Sequence, residues 1–217
     1  ESVNPELAES LFSIQPAVDG QLNWLDSRTL QFVPAGPFEL DTDYKLTLTS
    51  GDLSAKGRTL KNDQNWEMRV RDPLIVYLLT KDNQSSLWTM DLNNNPAQRI
   101  SPEDIKIISF DASYDGEFIV FASVNEQGGI NLWRISRTGN DASILLDCGR
   151  DRCTTPSISP NGTRIAYSRE AAGPSPDLPF GSPRIWILDL LSGQNSAVYE
   201  DQQILGYGPT WSPDSTK

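Results

Sequence analysis

Apolar residues along this chain of 217 residues gather in short runs bounded by turn residues, which is the pattern of β-strands. Helical patterning is confined to one turn at Pro5–Ser10 and one weaker stretch. From Leu74 onward the runs form two series. Leu74–Leu79, Phe118–Ala122 and Arg164–Ser168 make up the first, rich in β-branched and aromatic residues. Leu87–Leu92, Leu132–Ile135 and Ile185–Leu190 make up the second. Each member of the second series carries a tryptophan in one register, and Trp88, Trp133 and Trp186 stand 45 and 53 residues apart. Such recurrence predicts packing between repeated units rather than three separate ligand platforms.

A turn phrase repeats with the strands. Ser113-Tyr114-Asp115-Gly116 returns as Ser159-Pro160-Asn161-Gly162 and again as Ser212-Pro213-Asp214-Ser215, always after an apolar residue. The spacing is 46 residues from Asp115 to Asn161 and 53 from Asn161 to Asp214, within the range of about 40 to 55 that four-stranded propeller blades occupy. Asp or Asn followed by Gly suits the positive φ of a tight hairpin.

The stretch from Pro156 to Tyr167, with Gly208-Pro209-Thr210-Trp211-Ser212-Pro213-Asp214, resembles the blade signature of TolB-type, WD-repeat-like β-propellers. The resemblance covers residues 74 to 217 and implies blades over about 74–100, 105–146 and 155–199, with the start of another at 208–217. Trp211 joins the tryptophans expected to pack the blades. No Ser-x-Asp-Gly turn precedes Leu74, so the opening blade is expected to start at its second strand. Two complete and two partial units do not reach the four to eight blades of a closed ring, so further blades are expected beyond Lys217.

Residues 1–72 follow a different pattern. Asn23–Leu25, Thr29–Pro34 and Tyr44–Thr49 read as short antiparallel strands, with turns at Asp19-Gly20, Pro34 to Pro37 and Ser50-Gly51. The segments Phe12–Gly20, Trp24, Leu30–Pro34, Leu40 and Thr42–Tyr44 resemble the bacterial Ig-like domains of S-layer and other surface proteins. The fold expected is therefore all-β: an Ig-like β-sandwich over 1–72, then part of a propeller over 73–217, with Pro73 ending the strand at Trp66–Val70 and setting the chain's direction.

Charge and composition narrow the function. The net charge of −11 comes from 18 basic and 29 acidic residues, and both parts are acidic, so nucleic acid is not an expected partner. No histidine is present, which removes the commonest general base and metal ligand. No G-x-S-x-G elbow, phosphate-binding loop or H-E-x-x-H occurs, and the acidic pairs do not amount to a calcium site, so no catalytic residue, cofactor or metal is assigned. No stretch approaches the ~20 apolar residues of a spanning helix. Cys148 and Cys153 frame Gly149-Arg150-Asp151-Arg152, a spacing that a disulfide closes around a turn, consistent with an exported protein, whereas zinc needs about four ligands.

Alternating strand direction places the Ser-x-Asp-Gly turns on one propeller face and gathers the variable loops on the other. Those loops are Asp82–Ser86, Pro102–Asp104, Asn125–Gly129, Asp147–Cys153, Glu170–Pro183 and Gln202–Tyr207. The longest is proline-rich. Its residues Pro174, Pro176, Asp177, Leu178, Pro179 and Phe180 are expected to offer a partner's docking point, with Leu178 and Phe180 exposed. The resulting expectation is an exported, bacterial, cell-surface or periplasmic protein that binds a protein or an envelope component. Two rivals remain: the gating propeller of a prolyl-oligopeptidase-type peptidase whose triad lies beyond Lys217, and a carbohydrate-binding propeller using Trp211, Tyr207 and Phe180.

Overall fold

A computed structural model describes residues 4–26, 29–53, 59–93, 95–201 and 203–215, so Glu1, Gln202 and Lys217, which bound spans named above, lie outside the described residues. The chain divides into two compact units, Glu1–Pro73 and Leu74–Lys217.

The first unit holds helix α1 (Pro5–Ser10) and strands β1 (Phe12–Gln15), β2 (Gly20–Trp24), β3 (Leu30–Pro34), β4 (Thr42–Leu48), β5 (Gly51–Asp52), β6 (Thr59–Leu60) and β7 (Gln64–Val70). Asn4 caps α1 by accepting the Glu6 N–H at 3.0 Å. Strands β1, β4 and β7 form an antiparallel sheet in that order, and β2–β3 and β5–β6 form separate pairs. Alternation along β4 turns Tyr44 inward, where it meets Phe38 edge-on at 5.0 Å and accepts the Glu39 N–H through its hydroxyl at 3.0 Å. At Gly20 the ring of Phe32 passes so close that a Cβ would lie 2.4 Å from it.

The second unit contains β8 (Leu74–Lys81), β9 (Gln84–Asp91), β10 (Gln98–Arg99), β11 (Ile107–Ala112), β12 (Phe118–Val124), β13 (Ile130–Ser136), β14 (Ser143–Leu146), β15 (Arg152–Ile158), β16 (Arg164–Glu170), β17 (Arg184–Asp189) and β18 (Asn195–Ala197). Strands β11 to β14 and β15 to β18 are two antiparallel four-stranded blades, joined by a single parallel bridge between Ile130 and Arg152. Strands β8 to β10 form a three-stranded blade in which β8 takes the second-strand place. The three tryptophans are equivalent, since Trp88 lies opposite Tyr77, Trp133 opposite Phe121 and Trp186 opposite Tyr167. Trp133 stacks on Phe121 with ring centres 6.1 Å apart.

Burial follows from the stacking of blades. Phe118, Val120 and Ala122 of β12 face the blade that follows, where they meet Ile158, Ile165 and Tyr167, while Ile119 and Phe121 face the blade before, against Leu87 and Ile100. A strand covered on both faces needs a continuous apolar run, which is what Phe118–Ala122 supplies. Trp186 packs against the first of these clusters and Trp133 against the second.

The repeated turn works through its serine. Ser113 Oγ donates to Asp115 at 2.6 Å and accepts the Phe118 N–H at 3.0 Å, while Gly116 takes φ +69°. Ser159 does the same for Asn161 and the Arg164 N–H, with Gly162 also at +69°. In the third copy Ser212 donates to Asp214, and Ser215 takes the glycine's place at φ +60°. Trp211 belongs to the strand position before this turn rather than to the tryptophan series, and its indole N–H donates to Ser157 O at 2.9 Å.

Candidate functional site

Three loops on one face of the propeller are tied into a single body by side chains that accept and donate in sequence. The β12–β13 loop begins at Asn125, whose Oδ1 accepts the N–H groups of Gln127 at 3.0 Å and Gly129 at 2.9 Å. Its Nδ2 donates outward, to Asn131 Oδ1 at 2.8 Å and to Gly149 O at 2.7 Å in the β14–β15 loop. The buried Asn131 carboxamide also accepts the Cys148 N–H at 2.9 Å, so it has a place in the interior only because both neighbours satisfy it. Gly129 is required here, because a Cβ would lie 2.1 Å from Gly149 O.

The β14–β15 loop is closed by the Cys148–Cys153 disulfide. Between the cysteines, Asp151 makes a two-pronged ion pair with Arg169, at 2.6 Å to Nη2 and 2.8 Å to Nε, and its other oxygen accepts the Ala172 N–H at 2.8 Å. Arg150 donates to Gly173 O at 3.2 Å, and the Arg152 guanidinium lies 3.8 Å over the ring of Phe180. All three charged residues between the cysteines therefore contact the long β16–β17 loop. That loop closes on itself through the Gly181 N–H and Ala171 O at 2.8 Å.

The docking residues expected from sequence divide accordingly. Pro174, Pro176, Asp177, Leu178 and Pro179 are exposed, Leu178 at 48%. Phe180 is a correction to the expectation of exposure: its ring is half-buried, because the Arg152 guanidinium covers its face. The aromatic set considered for carbohydrate is likewise reduced. Phe180 is covered and the Trp211 indole is engaged at Ser157, which leaves Tyr207 as the exposed ring, at 66%. Asn125, Asn131, Asp151, Arg152 and Arg169 were not singled out from the sequence, although three consecutive charges between two cysteines are a signal that such a loop has partners to bind.

Among the described residues no group of three or more His, Cys, Asp or Glu side chains is placed to hold a metal ion, and no helix is long and apolar enough to cross a membrane. The shifted carboxylates are turn carboxylates. Asp91 is held below the ordinary Asp range by Asn95, Asp189 and Asp141 by the Ser192 and Ser136 N–H groups, and Asp63 in the first unit by that of Ser50. Burial pushes the Tyr167 phenol up, against the opposing hydrogen bond to Asn195. None of these groups is poised for proton transfer near neutrality.

The sequence matches no protein-family model and no curated protein. Among solved structures the chain is similar to a putative TolB from Agrobacterium tumefaciens, at 19% identity over 86% of this chain and 79% of that one, with a TM-score of 0.54. It is also similar to an oligogalacturonate lyase in complex with manganese, at 15% identity and TM-score 0.52, covering 64% of this chain and 40% of the lyase. The tricorn protease aligns over 99% of this chain, but over 19% of its own length, at 16% identity and TM-score 0.52. At such identities the likeness establishes the fold: the chain is all-β and contains part of a TolB-like propeller.

Proposed function

We propose that this chain is a non-catalytic exported or cell-surface protein, in which residues 1–72 are an Ig-like spacer and the propeller presents its loop-rich face to a protein partner. The observation that carries the reading is the locked β16–β17 loop. Its tip exposes Leu178 between prolines, and the backbone beneath is fixed by Asp151, Arg150 and Arg152, so little conformational freedom is lost on binding. The opposite face carries the short Ser-centred turns and the β13–β14 and β17–β18 connections. The sandwich reading of the first unit draws support from β1–β4–β7 and the separate β2–β3 pair, and the extracytoplasmic reading from the disulfide. A sequence without histidine and with a net charge of −11 fits a binding module better than a hydrolase or a nucleic-acid binder.

The test is site-specific photo-crosslinking in the cell-envelope fraction of the source organism. A photo-activatable residue replacing Leu178 is expected to yield one dominant protein adduct, while the same residue replacing Tyr114, 88% exposed on the opposite face, yields none. Equal labelling from both positions, or none from either, would sink the reading.

A further inference from the structure

The disulfide loop and the β16–β17 loop meet at three points. The short loop gives the long one its side-chain anchors: Asp151, itself paired with Arg169 of β16, accepts the Ala172 N–H, Arg150 donates to Gly173 O and Arg152 caps Phe180. On its other side the short loop is anchored in the blade core, through the Cys148 N–H to Asn131, the Ile130 N–H to Asp151 O, and the buried Cys153. The only covalent element in this linkage is the Cys148–Cys153 bond, which fixes Gly149 to Arg152 as a rigid bracket. The described protein has no other cysteine.

We propose that the disulfide loop is a thiol-sensitive latch, with Asp151 as its positioning residue: oxidised, it orders the docking loop 171–183, and reduction by a dithiol releases that loop while the blades stay folded. The chemistry is an exchange. A thiolate of the dithiol attacks Sγ of Cys148, the less buried residue of the pair, and the Cys148–Cys153 bond breaks with Cys153 leaving as thiolate and taking up a proton. The second thiol of the reductant then resolves the mixed disulfide, so the reductant is oxidised to its own disulfide and two protein thiols remain. The blades have contacts of their own to hold them: β15 and β16 pair from Arg152 to Ile158, and Cys148 and Cys153 share their core cluster with Val120, Ile165 and Tyr167, whose packing needs no bond between the two sulfurs. The consequence for partner binding rests on the docking reading above, whereas the ordering of the loop does not.

Hydrogen exchange of the intact protein, read at single amides without any partner, tests the latch. The Ala172 and Gly181 amides, bonded to Asp151 Oδ1 and Ala171 O, are expected to exchange at least about tenfold faster in dithiothreitol and in a Cys148→Ser/Cys153→Ser variant, with Val120 and Ile165 unchanged within about twofold. Asp151→Ala in the oxidised protein is expected to release Ala172 to a similar extent, and to add little in the reduced protein, because both changes cut one linkage. Unchanged exchange at Ala172 and Gly181 in both thiol forms overturns the proposal. So does loss of protection spreading to Val120 and Ile165, or an additive effect of Asp151→Ala and reduction. A latch that fails these measurements leaves the crosslink at position 178 intact, and a failed crosslink leaves the exchange result intact.

Discussion

Residues 4–73 and 74–215 are built from strands of similar length and similar residue types, but they bury side chains in different ways. In the first region Ala8 and Tyr44 are the buried apolar residues among those described, whereas the second has eighteen, eight of them in β12 and β13. The first region's sheet turns alternate residues inward along β4 and leaves Trp66 half exposed on β7. The propeller stacks the β11–β14 blade between two others, so that odd and even positions of β12 both find a core. The difference teaches that repetition, more than composition, supplies the interior here. A strand inserted between two copies of its own unit gains a second buried face that a lone sheet of the same length does not have.

That contrast is sharpest at the central strand. Phe121→Ala removes a fully buried ring that stacks on Trp133, and is expected to destabilise the propeller by about 3–5 kcal/mol in denaturant unfolding followed by tryptophan fluorescence, with no change in the first region's transition. A single shared transition would break the division into two units. Next in size is Ser159→Ala, which is nearly volume-neutral and removes the buried hydroxyl that accepts the part-buried Arg164 N–H; about 1–3 kcal/mol is expected, again confined to the propeller. Within the first region, Tyr44→Phe keeps the ring contact with Phe38 and deprives the Glu39 N–H of its acceptor, for a cost of about 1 kcal/mol.

Acid is expected to act on both regions alike. Asp63 in the first and Asp91, Asp141 and Asp189 in the second have folded-state pKa values below their unfolded ones, so each contributes stability that is complete above about pH 4 and is lost as pH falls through the lowered value. Carboxyl carbon shifts followed by NMR should place all four midpoints below the ordinary Asp value, and an ordinary midpoint at Asp189 would remove the turn hydrogen bonds as its cause. The smallest effect is expected from Trp66→Ala, at 51% exposure: a cost of about 0.5 kcal/mol or less in the same unfolding measurement, well below that of losing the interior ring of Phe121.

Much of the propeller was legible because its signals are local and repeated. The Ser-x-Asp-Gly turn carries its own hydrogen bonds, and the tryptophans keep one register because each pairs with an aromatic residue of the strand before it. The loop platform was only partly legible. Cys148 and Cys153 announced their pairing through spacing, yet Asn125, Asn131 and Arg169 make their bonds across 6 to 24 residues of chain, and nothing in their neighbours along the sequence marks them. Phe180 misled for the same reason. A phenylalanine in a proline-rich loop reads as exposed until Arg152, 28 positions away in sequence, is seen over its ring.

By itself the sequence determined the strands, their repeat, the turn chemistry and the cysteine pair, since each depends on residues within a few positions of one another. Only the tertiary structure decided which loops meet, that Asp151 joins Arg169 to Ala172, and that Leu178 stays in solvent while Phe180 does not. Those outcomes depend on distances between blades, which are set by how side chains of successive sheets pack and are not written in any one segment of the chain.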